Sequence, residues 1–121
     1  MTTPKLYGIT LDCPDPERLG EFYAQLLGLK VAYSSDTYVG LAGEDGPAIG
    51  FQKVADEFRA PEWPGQSVPQ QIHLDITVDD LDQAEAAAIG LGATKAEHQA
   101  GPDRWRVMLD PAGHPFCLAK M

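Results

Sequence analysis

His73, Asp75 and Thr77 stand at alternate positions in the stretch QQIHLDITVDD, residues 70–80. A strand puts alternate residues on one face. An imidazole, a carboxylate and a hydroxyl would then share a surface, with Ile72, Leu74, Ile76 and Val78 on the apolar side behind them. Three kinds of chemistry suit such a face. The imidazole can ligate a metal. It can exchange a proton with help from the carboxylate. Or it can line a cavity, hydrogen-bonded to a neighbour.

Other residues compete for roles. Asp12 has the inward parity of an earlier strand, and two carboxylates near an imidazole call for a polar, wetted cavity; a strand-end position in water suits Asp12 as well. Trp105, in RWRVML, walls a cavity or packs in the core. Its neighbours Arg104 and Arg106 meet either an anionic ligand or surface carboxylates. Trp63 lies in a proline-rich connection, as a lid, a dimer contact or local packing. His114 follows Gly113 in DPAGHPF and reads as a turn residue, and His98 in a polar loop is given no role. Cys13 precedes Pro14 with no base beside it, which argues against a nucleophile. There is no phosphate loop, dinucleotide fingerprint or serine elbow.

Composition narrows the classes. A chain of 121 residues with 44% hydrophobic content suits one domain with its own core, residues 1–121. The net charge is −9, from 18 acidic and 9 basic side chains. No basic stripe is present to neutralise phosphates, so nucleic acid is not an expected partner. Two cysteines do not make a secreted disulfide framework. No window approaches the roughly 20 apolar residues of a membrane helix, and no signal peptide leads the chain. A cytoplasmic protein with reduced thiols is expected, away from membranes.

The elements that must hold these residues come in two similar sets. Residues 6–12 alternate as a strand; Asp15 and Pro16 then start a helix, Leu19, Phe22, Tyr23, Leu26 and Leu27 mark its apolar face, and Gly28 ends it. Strands are expected over 31–34, 38–42 and 48–54, with GEDG at 43–46 as a hairpin turn. In the second set the strand around His73 leads to Asp80, which with Gln83 resembles a capping box, and to a helix ending near Gly92. Strands follow over 94–97, 104–109 and 115–119. Gly8 aligns with His73, Asp15 with Asp80, Gly46 with Gly113 and Gly50 with Cys117. Two βαβββ modules result, one over about 4–54 and one over about 72–121, joined by a polar connection at 55–71.

The stretches GITLDCPDPERLGEFYAQLLGL, HLDITVDDLDQAEAAAIGLGA and RWRVMLDPAGHPFCL, with the duplication, resemble the vicinal oxygen chelate superfamily of glyoxalases, bleomycin-resistance proteins and extradiol dioxygenases, and most of all its small glyoxalase-like domains. The resemblance implies an α+β fold in which two βαβββ modules form a cupped mixed-sheet barrel with helices outside, and it implies a homodimer. In metal-using relatives, four positions on the first and last strands of the modules supply ligands. Here they fall on Gly8, Gly50, His73 and Cys117. Two have no side chain, and the two glycines are expected to leave space where a metal would stand. No cofactor is therefore expected; a divalent metal, were one held, would sit on His73 and Cys117. The expected pocket comprises Gly8, Thr10, Gly50, Gln52, His73, Asp75, Trp105 and Cys117, with His73 and Asp75 as the catalytic candidates. Sequestration of a small organic molecule, or metal-free isomerase or lyase-type chemistry, is the expected function. The alternatives are a metal-dependent lyase, isomerase or dioxygenase with a site relocated around His73, and a dimeric interaction module.

Overall fold

Both helices start where an aspartate can hold them. The first helix, α1 (Pro16–Leu27), follows Asp15, whose backbone is extended and whose carboxylate accepts from the Arg18 N–H at 3.1 Å. Pro16 occupies the first turn, where its missing N–H costs nothing, and Glu17 faces the positive end of the helix dipole. The second helix, α2 (Leu81–Leu91), follows Asp80 in the same way, with the Gln83 N–H donating at 3.0 Å. Gly28 and Gly92 end the helices with φ of 67° and 119°, a left-handed turn that glycine adopts without steric cost.

These caps belong to a computed structural model that describes residues 3–43, 46–54 and 56–120. The chain falls into two units, Met1–Phe58 and Arg59–Met121. The first unit holds β1 (Gly8–Cys13), α1, β2 (Lys30–Ser34), β3 (Tyr38–Ala42) and β4 (Ala48–Lys53), in sheet order β1-β4-β3-β2. The second holds β5 (Leu74–Val78), α2, β6 (Thr94–Lys95), β7 (Trp105–Leu109) and β8 (Pro115–Lys120), in order β5-β8-β7-β6. In each sheet the first and last strands run parallel and the remaining pairs antiparallel. The fold is α+β, two βαβββ units with mixed sheets. Thr10 pairs with Gly50 and Asp75 with Cys117, so the aligned residues Gly50 and Cys117 take matching places in their ladders.

Alternation sorts each sheet into a packed face and a polar face. In the first unit Leu11, Cys13, Val39, Leu41 and Phe51 are buried together with Leu19, Phe22 and Tyr23 of α1. The Tyr23 and Phe51 rings stack at 5.5 Å. Gly20 lets α1 approach the sheet: a Cβ there would lie 2.6 Å from Val39 Cγ1. In the second unit Met108, Phe116 and Leu118 are fully buried, as is Ala88 of α2. Arg106, in register with Leu118, reaches Asp82 and Glu85 of α2, which marks this as the helix-facing side. Leu74 and Ile76 pair with Phe116 and Leu118 on that side.

Several strand bounds differ from the sequence expectation, and β5 begins at Leu74, so His73 stands just ahead of the strand expected to carry it; two of the differences have a clear physical reason. Strand β1 begins at Gly8, because Ala48, whose N–H bonds Tyr7, is the first residue of β4 that can pair with it. Strand β6 stops at Lys95, two residues early. Beyond it the Gln99 side chain stands in for a strand, donating to the Ala96 and Val107 carbonyls and accepting from the Val107 N–H at 3.0 Å. The GEDG turn falls on residues 44 and 45, which lie outside the described residues. Among the described residues no helix is long and apolar enough to cross a membrane.

The two faces of β5 and β8 should respond differently to mutation. Leu118→Ala is expected to lower the unfolding free energy by about 3 kcal/mol, as for a fully buried leucine. Thr77→Ala, on the exposed side, should change it by no more than about 0.5 kcal/mol. Urea denaturation of the two variants checks this.

Candidate functional site

The ladder explains why three chemically active side chains meet. Asp75 and Cys117 are direct partners across β5 and β8, and directly paired residues share a face. His73 lies one residue ahead of β5, outside its ladder, and its ring reaches Asp75 on that side. The donor atoms of His73, Asp75 and Cys117 all lie within 4.8 Å of one another. His73 Nε2 is 3.1 Å from Asp75 Oδ1. An ionised carboxylate only accepts hydrogen bonds, so across this contact Nε2 is the donor. The side chains of His73 and Asp75 are 35% and 68% exposed, so the dyad is open to solvent.

Cys117 lies beneath them, 8% exposed. Burial, and then the neighbouring negative charge of Asp75 and a hydrogen bond to it, push the thiol up from its ordinary 9.0 to about 11. Cys117 is therefore a thiol at neutral pH, a hydrogen-bond donor and not a nucleophile.

Trp63 borders the dyad. Its ring centroid is 6.4 Å from that of His73, tilted by 31°, and its other neighbour is the His98 ring at 6.0 Å, edge to face. Of the roles open to Trp63, these ring contacts correspond to local packing, here beside the imidazole, and they give His98 a place where the sequence suggested none.

Gly8 and Gly50, two of the four positions that the superfamily resemblance points to, have no donor atoms. Nor does Gly50 leave a vacancy, contrary to expectation: a Cβ there would run into the Tyr38 hydroxyl and lie 2.6 Å from Tyr38 Cζ. The Tyr38 ring lies over Gly40 and Gly50, which pair across β3 and β4. At Gly8 a Cβ would sit 3.1 Å from the Ala48 carbonyl oxygen, already tight. The inherited four-ligand set is not met by these residues. Thr10, Asp12 and Gln52 share the polar face of the first sheet and are exposed. Tyr38 is the residue that sequence reasoning missed; two strand glycines, which often mark the close approach of another group, were its only signal.

The remaining candidates settle into structural places. Trp105 is half-buried on the face of His73, its ring against Gly101. Arg106 is tied to α2: its guanidinium donates to Asp82 and Glu85 at 3.0 Å each, and Nε donates to the Pro102 carbonyl at 2.6 Å. Lys95 joins Glu85 at 3.3 Å. Arg106 thus takes the ion-paired alternative, whereas Arg104 is exposed. The His114 N–H donates to Asp110 Oδ1 at 3.0 Å beside that of Ala112, so its backbone serves the turn. Cys13 is fully buried on the helix side of β1.

Comparison with known proteins gives a consistent context. The family described as glyoxalase-like domain matches residues 8–119. None of the curated proteins compared with the chain matches it. Among solved structures, a glyoxalase/bleomycin resistance protein/dioxygenase family enzyme from Burkholderia phytofirmans PsJN is 21% identical, with 97% of this chain and 98% of that one covered and a TM-score of 0.71. The trypanothione-dependent glyoxalase I of Leishmania major is 19% identical over 98% and 87%, with a TM-score of 0.70. The bleomycin-binding protein of Streptomyces verticillus, solved with copper(II)-bleomycin, is 15% identical over 100% and 99%, with a TM-score of 0.60. At these identities the structures share a fold with this chain.

The state of Cys117 is open to measurement. Its raised pKa contributes stability that is complete below pH 9 and is lost as pH rises towards about 11, because the unfolded chain gives up the proton first. Iodoacetamide labelling of Cys117 against pH should show a midpoint near 11. Asp75→Asn should lower that midpoint without restoring the ordinary value, since burial is the larger cause.

Proposed function

The chain belongs to the glyoxalase-like domain family, and on that premise we propose that it binds a small, partly apolar organic molecule against the polar face of β5 and β8. The observation that carries this reading is the His73–Asp75 hydrogen bond on an exposed strand face, with the Trp63 ring beside it. The indole offers an apolar flank, and the dyad offers a directed polar contact. Further support comes from the fold shared with a protein that holds bleomycin and with a glyoxalase I.

The protonation pattern defines what the dyad does to such a ligand. With Nε2–H given to Asp75, Nδ1 accepts a hydrogen bond or a proton from the bound molecule. Asp75 fixes the ring and stabilises the imidazolium that forms. Return of the proton to a different atom completes an isomerisation, and loss of a leaving group completes a lyase-type step. Without such a step the same contacts sequester the molecule. No step passes through the four-ligand metal of the superfamily, two of whose positions are glycine here.

The reading includes a homodimer in a reducing compartment such as the cytoplasm. Two free thiols agree with that compartment. Leu6, Tyr7, Val31, Tyr33 and Ile72 are large exposed apolar side chains that a second copy can cover.

Three results are expected. A screen of small organic molecules by thermal melting should find ligands that stabilise the protein, by about 2.7 kcal/mol at 100 times the Kd. His73→Ala should keep the melting temperature of the free protein and lose the ligand-induced shift. Light scattering at micromolar concentration should give the mass of a dimer and not the 13.1 kDa of one chain. A His73→Ala protein that still shows the full shift defeats the pocket assignment.

A further inference from the structure

The second unit is an internal counterpart of the first, and from their differences we propose that the first unit binds a small aliphatic guanidinium or ammonium compound in a cavity between α1, β2 and β3. The cavity measures about 340 Å³ and is lined by Glu17, Glu21 and Ala24 of α1, Val31 and Ser34 of β2, and Val39 of β3. All six residues belong to the first unit. The site shares no residue with the His73–Asp75 face and does not depend on the function proposed for that face.

The aligned ladders show what stands at this place in the second unit. Val39 pairs with Phe51 and Arg106 with Leu118, so with Gly50 matched to Cys117, Val39 takes the place of Arg106. Val31 pairs with Leu41 and Lys95 with Met108, so by the same offset Val31 takes the place of Lys95. Counted from the caps Asp15 and Asp80, Glu17 takes the place of Asp82, and Gly20 that of Glu85. The helix and strand offsets agree: a Cβ on Gly20 would lie 2.6 Å from Val39 Cγ1, just as Glu85 meets Arg106. In the second unit Arg106 donates to Asp82 and Glu85 at 3.0 Å each, and Lys95 meets Glu85 at 3.3 Å. Both of those cations are valines in the first unit. An acidic side chain nevertheless stays at the Asp82 place, and Glu21 adds another next to the Glu85 place. Glu21 accepts from Gln25 at 3.1 Å. Among the described residues no lysine or arginine pairs with Glu17 or Glu21. The first unit thus has the carboxylates and the space, and the second supplies its own guanidinium.

The lining selects the ligand. Two carboxylates carry negative charge and accept hydrogen bonds, which suits a guanidinium or ammonium head. Ala24, Val31 and Val39 give an apolar wall for a short aliphatic stem, and the Ser34 hydroxyl adds a polar contact. No aromatic side chain lines the cavity, whereas quaternary ammonium groups are held by aromatic faces. Calcium takes roughly six to eight oxygen ligands, more than these side chains offer. Small-molecule sites occupy roughly 300–1,000 Å³, and a cavity at the lower end of that range fits a small free compound. The net charge of −9 draws cations towards the chain.

The test titrates the intact protein with butylguanidinium and follows the backbone amide resonances, with neutral butylurea as the comparator. Butylguanidinium should saturate at one per chain, with the shifted resonances confined to α1, β2 and β3. Butylurea should give no saturable shift. Glu17→Gln and Glu21→Gln should each weaken binding by about threefold, and the two together by about tenfold. Val39→Arg should supply the guanidinium from within and abolish binding. Val39 is buried, so should that variant fail to fold, Val31→Lys at the exposed edge carries the same point and should weaken binding by about fivefold. Circular dichroism checks the folding of each variant. His73→Ala should leave the titration unchanged, which separates this site from the β5–β8 face. Absence of saturable shifts overturns the proposal, as do wild-type affinity in the double Gln variant and shifts centred on β5 and β8. A dimer that butylguanidinium dissociates would put an arginine of a second copy in the cavity and overturn the assignment to a free compound.

Discussion

A parallel ladder that pairs residue 75 with residue 117 sets the chemistry of the second unit. Strand side chains alternate, so one pairing choice fixes the face of every residue on both strands. With this register Asp75, Thr77 and Cys117 come to one side, where the His73 ring meets Asp75, while Leu74, Ile76, Phe116 and Leu118 come to the other. A slip by one residue would bring Phe116 and Leu118 out from the packed side. The hydrophobic demand of the helix-facing layer thus also enforces the convergence of the polar groups. Fold stability and site geometry are two results of a single alignment.

The electrostatics of that unit divide along the same line. On the helix side, Arg106 is held by two carboxylates of α2 and by a backbone carbonyl, a closed network with its charges paired. On the other side, Asp75 serves two neighbours and faces water, accepting from His73 and raising the Cys117 thiol. Only the second arrangement has donors and acceptors left over for another molecule. The difference arises from surroundings: Arg106 fastens β7 to a helix, and Asp75 has solvent in front of it.

Much of this was legible in the sequence. Local signals identified both helices, because Asp15, Asp80, Gly28 and Gly92 act on backbone groups within a turn of themselves. Alternation placed His73 and Asp75 on one face, and the internal duplication aligned Gly50 with Cys117. What escaped depends on contacts between residues distant in sequence. Gln99 replaces a stretch of β6 by binding Val107 eight residues away, and nothing about a glutamine announces that its amide will imitate a strand. Tyr38 reads as an ordinary strand tyrosine until β3 is laid against β4 and its ring is found over Gly50. Trp63 required the connection to return to His73 before it acquired a role.

The tyrosine over Gly50 bears on what each of two aligned positions can tolerate. A missing side chain at position 50 and a phenol ring in the space it leaves each depend on the other. A carboxylate placed at position 50 alone would meet the Tyr38 ring. Removing Tyr38 alone would leave a hole and no ligand. A single substitution at either position therefore gives a worse-packed protein, so the two positions are locked together. At the matching place in the second module Cys117 has Asp75 beside it, so of these two aligned positions only that one has a polar partner within reach.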